Sequence, residues 1–63
     1  MDAELLNQFK AAHVKLVYRD GFTLTGFIVE VFDTSILFKT RQGESAISND
    51  EIKTVMRLDG GGR

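Results

Sequence analysis

The spacing of apolar residues changes once along the chain, and that change divides it. Between Asp2 and Ala12, Leu5, Leu6, Phe9 and Ala12 fall on one stripe of a helix. Asp2 can cap the free N–H groups of the first turn, which Ala3 and Glu4 also suit. So short a helix is marginal alone, and the stripe of Leu5, Leu6 and Phe9 is expected to pack on the rest of the fold. From His13 the period drops to two. Val14, Leu16 and Tyr18 alternate with Lys15, Val17 and Arg19, the pattern of a half-buried strand.

Turn residues cut the remainder into strands. Asp20-Gly21 predicts a two-residue hairpin loop with positive φ at both central positions. The strand from Phe22 to Phe32 is long and has Gly26 in its middle. A glycine there marks a bulge, a sharp bend or a close backbone approach. A strong bend lets one strand serve two walls of a small barrel. Asp33-Thr34-Ser35 forms the next turn through side chains that bond their own backbone. Ile36 to Arg41 is a third strand, and Gln42-Gly43 a turn. Glu44 to Ile47 is a fourth strand, and Ser48-Asn49-Asp50-Glu51 a polar corner. Ile52 to Leu58 is a fifth. The pattern predicts one mainly β domain over 1–58: a helix at about 2–12, then a five-stranded, strongly bent antiparallel SH3-like barrel over about 14–58. Residues 59–63, DGGGR, read as a flexible tail.

Composition limits what such a domain can do. A chain of 63 residues buries only about 60% of its unfolded surface and usually needs disulfides, a metal or oligomerisation. Cysteine is absent and His13 is the only histidine. Disulfides and thiolate metal sites are excluded, no metal or cofactor is expected, and His13 reads as a strand-start residue. Oligomerisation remains. The chain has 8 basic and 9 acidic residues, a net charge of −1, so bulk charge does not hold it to nucleic acid. Lys39, Arg41, Lys53 and Arg57 alternate with apolar residues and read as a solvated strand face. No apolar run approaches the ~20 residues that span a bilayer. MDAELLNQFK lacks the basic start of a signal peptide, and the helix lacks the basic flank of a membrane-surface anchor. A cytoplasmic protein without membrane association is expected. No nucleophile has a base and an orienting group, and no glycine-rich phosphate loop exists, so no enzyme is expected.

Four stretches together resemble one family. LLNQF resembles the FLN stretch of the Hfq helix, and DGFTLTGFI the N-G-F-x-L-x-G-x-I hairpin of Hfq and the Sm-like proteins. FDTSIL resembles the F-D-x-x-x-L segment of the first Sm motif. AISNDEIKTV stands where the second Sm motif has I-R-G-x-x-I and Hfq has Y-K-H-A-I-S-T-V. The likeness covers roughly residues 4 to 58. It implies the Sm fold and a closed homo-oligomeric ring, with a hexamer favoured and a heptamer as the alternative, that binds single-stranded RNA and acts as an RNA chaperone. Within it, Gly21 makes the turn, Gly26 permits the bend, and Asp33 either caps a turn or braces the loop lining a central pore.

The resemblance also assigns candidate faces. Val17, Phe22, Thr23, Leu24 and Thr25 match the hairpin face that binds adenine, although Val17 replaces the usual aromatic residue. Thr34, Ser35, Ser48, Asn49 and Asp50 match the pore face that binds uridine. Ser35 stands where the family stacks an aromatic ring on the base, and Asn49 and Asp50 stand for Lys and His. Asn49 also fits a position needing left-handed backbone. Lys10 is the rim position. Between Gly26 and Phe32 lies one residue more than in the family, which predicts a bulge or register shift. These departures favour A-rich over U-rich RNA. The alternatives are a ring acting through protein partners with little RNA binding, and a monomeric SH3-like adaptor.

Overall fold

The structure, a computed structural model, describes residues 1–58; the tail expected at 59–63 lies outside the described residues. A short helix, α1 (Ala3–Asn7), precedes five strands: β1 (His13–Tyr18), β2 (Thr23–Val31), β3 (Ser35–Thr40), β4 (Gly43–Ser48) and β5 (Ile52–Arg57). A 3-10 turn, Asn49–Glu51, joins the last two. All strand pairs are antiparallel, in the order β4-β3-β2-β1-β5. Where the sequence predicts a barrel, the five strands form a bent, unclosed sheet with β4 and β5 at its edges.

Alternation places the core as the period-2 pattern requires. Val14 and Leu16 of β1, Ile28 of β2 and Ile36 and Phe38 of β3 are fully buried on one face, joined by Ile47, Ile52 and Val55. Each such side chain contributes about 1.5–3 kcal/mol. Among the described residues no helix is long and apolar enough to cross a membrane.

The helix is shorter than its stripe predicts. Asp2 caps it, its carboxylate accepting from the Glu4 N–H at 3.4 Å. Past Asn7 the chain tightens into i→i−3 turns as far as Lys10, where β2 captures it. Lys10 bridges to Ile28, and the Ala11 N–H donates to the Ile28 carbonyl at 2.7 Å. Ala11 reaches that bond in left-handed backbone, φ 66°. One helical turn buries only Leu6, while Phe9 packs partly on the core and Leu5, expected inside, is 47% exposed.

The first hairpin also differs. Only Gly21 has positive φ, at 93°. The Gly21 N–H donates to the Tyr18 carbonyl at 3.0 Å, and the Tyr18 N–H to the Phe22 carbonyl at 2.7 Å. That is a three-residue loop of Arg19, Asp20 and Gly21, with the glycine in the left-handed position. Asp20 serves instead as an acceptor, its carboxylate taking the Phe22 N–H at 3.0 Å. The next turn closes through main chain rather than through the side chains of Asp33-Thr34-Ser35, the Phe32 N–H donating to the Ser35 carbonyl at 2.8 Å.

Gly26 is a point of close approach. A Cβ there would press into the Lys39 carbonyl and lie 2.9 Å from the Phe38 ring. The irregularity of β2 comes later, between Ile28 and Glu30. Val29 is the extra residue, between Gly26 and Phe32, where the family resemblance predicts a bulge or register shift. Strict alternation from Ile28 would turn Glu30 inward and Val31 outward. The bulge reverses this: Glu30 stands opposite the half-exposed Leu37, and Val31 opposite the buried Ile36.

Two substitutions test these backbone assignments by thermal and denaturant unfolding. Gly26→Ala is expected to destabilise by roughly 3 kcal/mol, the upper end for overpacking, because the neighbour is a backbone oxygen that cannot rotate away. Ala11→Gly is expected to stabilise by about 0.5–1 kcal/mol, the relief of left-handed strain less the entropy cost of glycine.

Candidate functional site

The five hairpin candidates do not share one face. Val17 and Thr23 are register partners, and Thr25 pairs with Lys15 on the same outer face. Leu24 pairs with Leu16 and packs against the core. Phe22 projects past the end of the sheet, 61% exposed. The Tyr18 ring braces it edge-on, with centroids 5.7 Å apart. Partial burial, then the carboxylates of Glu51 and Asp20, hold the Tyr18 phenol above its ordinary ionisation range. The brace therefore stays neutral.

The pore-face candidates do come together. Thr34, Ser35, Ser48, Asn49 and Asp50 line one hollow of about 410 Å³, with Asp33 and the helix start at Asp2. Asn49 is its anchor. This side chain is 4% exposed; its Nδ2 donates to the Asp33 carbonyl at 3.2 Å, and its backbone N–H to Thr34 at 2.9 Å. Asn49 does not take the left-handed backbone that the sequence predicts; it opens the 3-10 turn and ties two loops together. Its buried Oδ1 has no hydrogen-bond partner among the described residues. The N-terminal ammonium turns onto the Asn49 and Ile52 carbonyls. The hollow holds the carboxylates of Asp2, Asp33 and Asp50 and, among the described residues, neither a cationic side chain nor an aromatic ring.

A second, larger hollow has the opposite character. The β2–β3 ladder ends at the pair Phe27 and Lys39, beyond which β2 pairs with β1 alone and β3 with β4 alone. An open cleft of about 970 Å³ lies where the strands part, lined by His13, Phe27, Lys39 and Arg41 and adjoining the hairpin at Leu24 and Thr25. Among the described residues no carboxylate lines it. The Phe27 ring is 46% exposed and stacks on the His13 imidazole, with centroids 4.8 Å apart at 20°. Sequence reading passed over Phe27. The available signal was Phe27 next to Ile28, since two adjacent strand residues cannot both face the core. The alternation of Lys39 and Arg41 with their neighbours predicts only a solvated strand face.

The rim candidate Lys10 is engaged, its Nζ 2.8 Å from the Glu30 carboxylate. That hydrogen bond, then the Val31 N–H and the Lys10 charge, hold the Glu30 carboxyl below its ordinary range. Among the described residues no cluster of metal-ligating side chains exists. No family model matches this chain, and no curated protein matches it.

Asn49→Ala is expected to destabilise by about 1–3 kcal/mol, because it removes a buried bond across two loops; denaturant unfolding measures it. The ion pair gives a pH test. Glu30 is more acidic folded than unfolded, so its contribution is present above the ordinary glutamate range and lost as pH falls through the lowered value. Glu30→Gln is expected to flatten the acid limb of a plot of Tm against pH, and high salt to do the same.

Proposed function

We propose that this chain is an Sm-like, ring-forming protein that binds single-stranded RNA, favours A-rich over U-rich strands, and acts as an RNA chaperone in the manner of Hfq. The observation that carries the RNA reading is the separation of charge between the two hollows. The corner that corresponds to the uridine-binding pore face gathers Asp2, Asp33 and Asp50. Repeated around a ring, those carboxylates repel phosphate. The hairpin side has the exposed Phe22 ring and a cleft bearing cations and Phe27. Aromatic rings stack bases, and cations hold the backbone.

Assembly rests on the edges. Among the described residues β4 and β5 have no outer strand partners, and an unpaired edge on a thin core invites pairing with another copy. A head-to-tail contact of β4 with β5 that closes on itself makes a ring. The five-strand order and the bend fit an open Sm-type barrel. The exposed Val29, at 36%, and Phe32, at 52%, favour the second reading, a ring whose partners are proteins.

Molar mass by light scattering, with fluorescence titration of short A-rich and U-rich RNAs, tests the proposal. The expected result is a ring that binds oligo(A) and binds oligo(U) weakly. Phe22→Ala is expected to weaken oligo(A) binding by roughly 1–3 kcal/mol without changing the mass. Asp50→Lys is expected to leave oligo(A) binding alone and to improve oligo(U) binding. A monomer at tens of micromolar removes the ring, and tight oligo(U) binding by the unmodified protein reverses the ranking. A ring that binds neither RNA moves the assignment to protein partners.

A further inference from the structure

We propose that the cleft where β2 and β3 part holds one nucleotide of the bound strand, its base on Phe27 and its phosphate between Lys39 and Arg41. The inference deepens the RNA-binding reading and rests on it. None of these residues is among those assigned by the family resemblance.

Strand register builds the site. His13, Phe27 and Lys39 are successive partners across β1, β2 and β3, so their side chains stand in one row on the outer face. The row is followed toward the β3–β4 turn by Arg41, which lines the same cleft. His13 already stacks on Phe27 nearly parallel, which holds the ring as a platform that a base can extend. About 970 Å³ of open space is ample for a nucleotide.

Charge selects the ligand. In a chain of net charge −1, Lys39 and Arg41 stand in a lining that has no carboxylate among the described residues. Glu44, the register partner of Lys39 on β4, does not line the cleft. Where the ladder stops, Thr25, whose main-chain groups point away from β1 in this register, has no strand partner on the β3 side among the described residues. Its N–H and C=O can meet the edge of a base. A ring platform, two cations and unpaired main chain match a nucleotide better than a neutral peptide, which would leave both cations unused.

The test has two arms. Amide chemical shifts are followed on adding AMP, adenosine, inorganic phosphate or an oligoglutamate peptide. AMP is expected to move the amides of residues 25–27 and 39–42, with adenosine and phosphate each doing so more weakly. Oligoglutamate moving the same amides as strongly as AMP would overturn the nucleotide assignment. In the second arm, oligo(A) is titrated across a salt series. Phe27→Leu, which keeps apolar bulk, is expected to weaken binding roughly tenfold, and Arg41→Gln to reduce the salt slope by about 1. Arg41→Gln is an exposed change, so it carries the test even where Phe27→Leu fails to fold. If Phe22→Ala weakens oligo(A) while both cleft variants bind like the unmodified protein, the cleft proposal falls and the RNA reading stands. If the unmodified protein binds no RNA, the reading falls and takes the cleft with it.

Discussion

The main chains of β2 and β3 meet at Gly26 where no side chain fits, and the layout of the sheet follows from that contact. A Cβ at this position would press on the Lys39 carbonyl and the Phe38 ring. With hydrogen in its place, Phe38 packs fully buried opposite Ile28. The next residue along, Phe27, is then left on the outer face between His13 and Lys39. Two residues further the Val29 bulge resets the alternation, so that Val31 faces the core and Glu30 is free to meet Lys10. One close approach and one extra residue thus decide which side chains make the core and which make the cleft.

The same economy leaves the domain incomplete at its margins. Its core is a single layer of buried residues under an unclosed sheet, with no cysteine to cross-link it. A core of this size leaves little stability in reserve. The edge strands expose Glu44, Ser45 and Ala46 on β4 and Lys53, Thr54 and Met56 on β5. In the proposed ring these edges pair between copies, which adds backbone hydrogen bonds.

Much of this was legible in the sequence, because period-2 alternation and turn residues act locally. The strand positions of Val14, Leu16, Ile36 and Ile47 follow from spacing, whereas the register shift at Val29 and the grouping of the corner residues are expectations of the family resemblance. The failures have a tertiary cause. The helix was read too long because its stripe does not reveal that Ile28 captures the main chain at Ala11. Asn49 was read from its backbone tolerance, whereas its side chain ties the Asp33 loop. The cleft was invisible because it needs the end of the β2–β3 ladder, and spacing within one strand does not say where its neighbour departs.

Hydrogen exchange of the assembled protein, with and without oligo(A), tests the central claim most directly, since it reads edges and cleft in one experiment. The account predicts slow exchange along the outer sides of β4 and β5 in both states, as paired strands require. It further predicts added protection on RNA binding around residues 22–27 and 39–42, with none at the corner of residues 48–50. Fast exchange along both edges, or protection by oligo(A) confined to that corner, would contradict it.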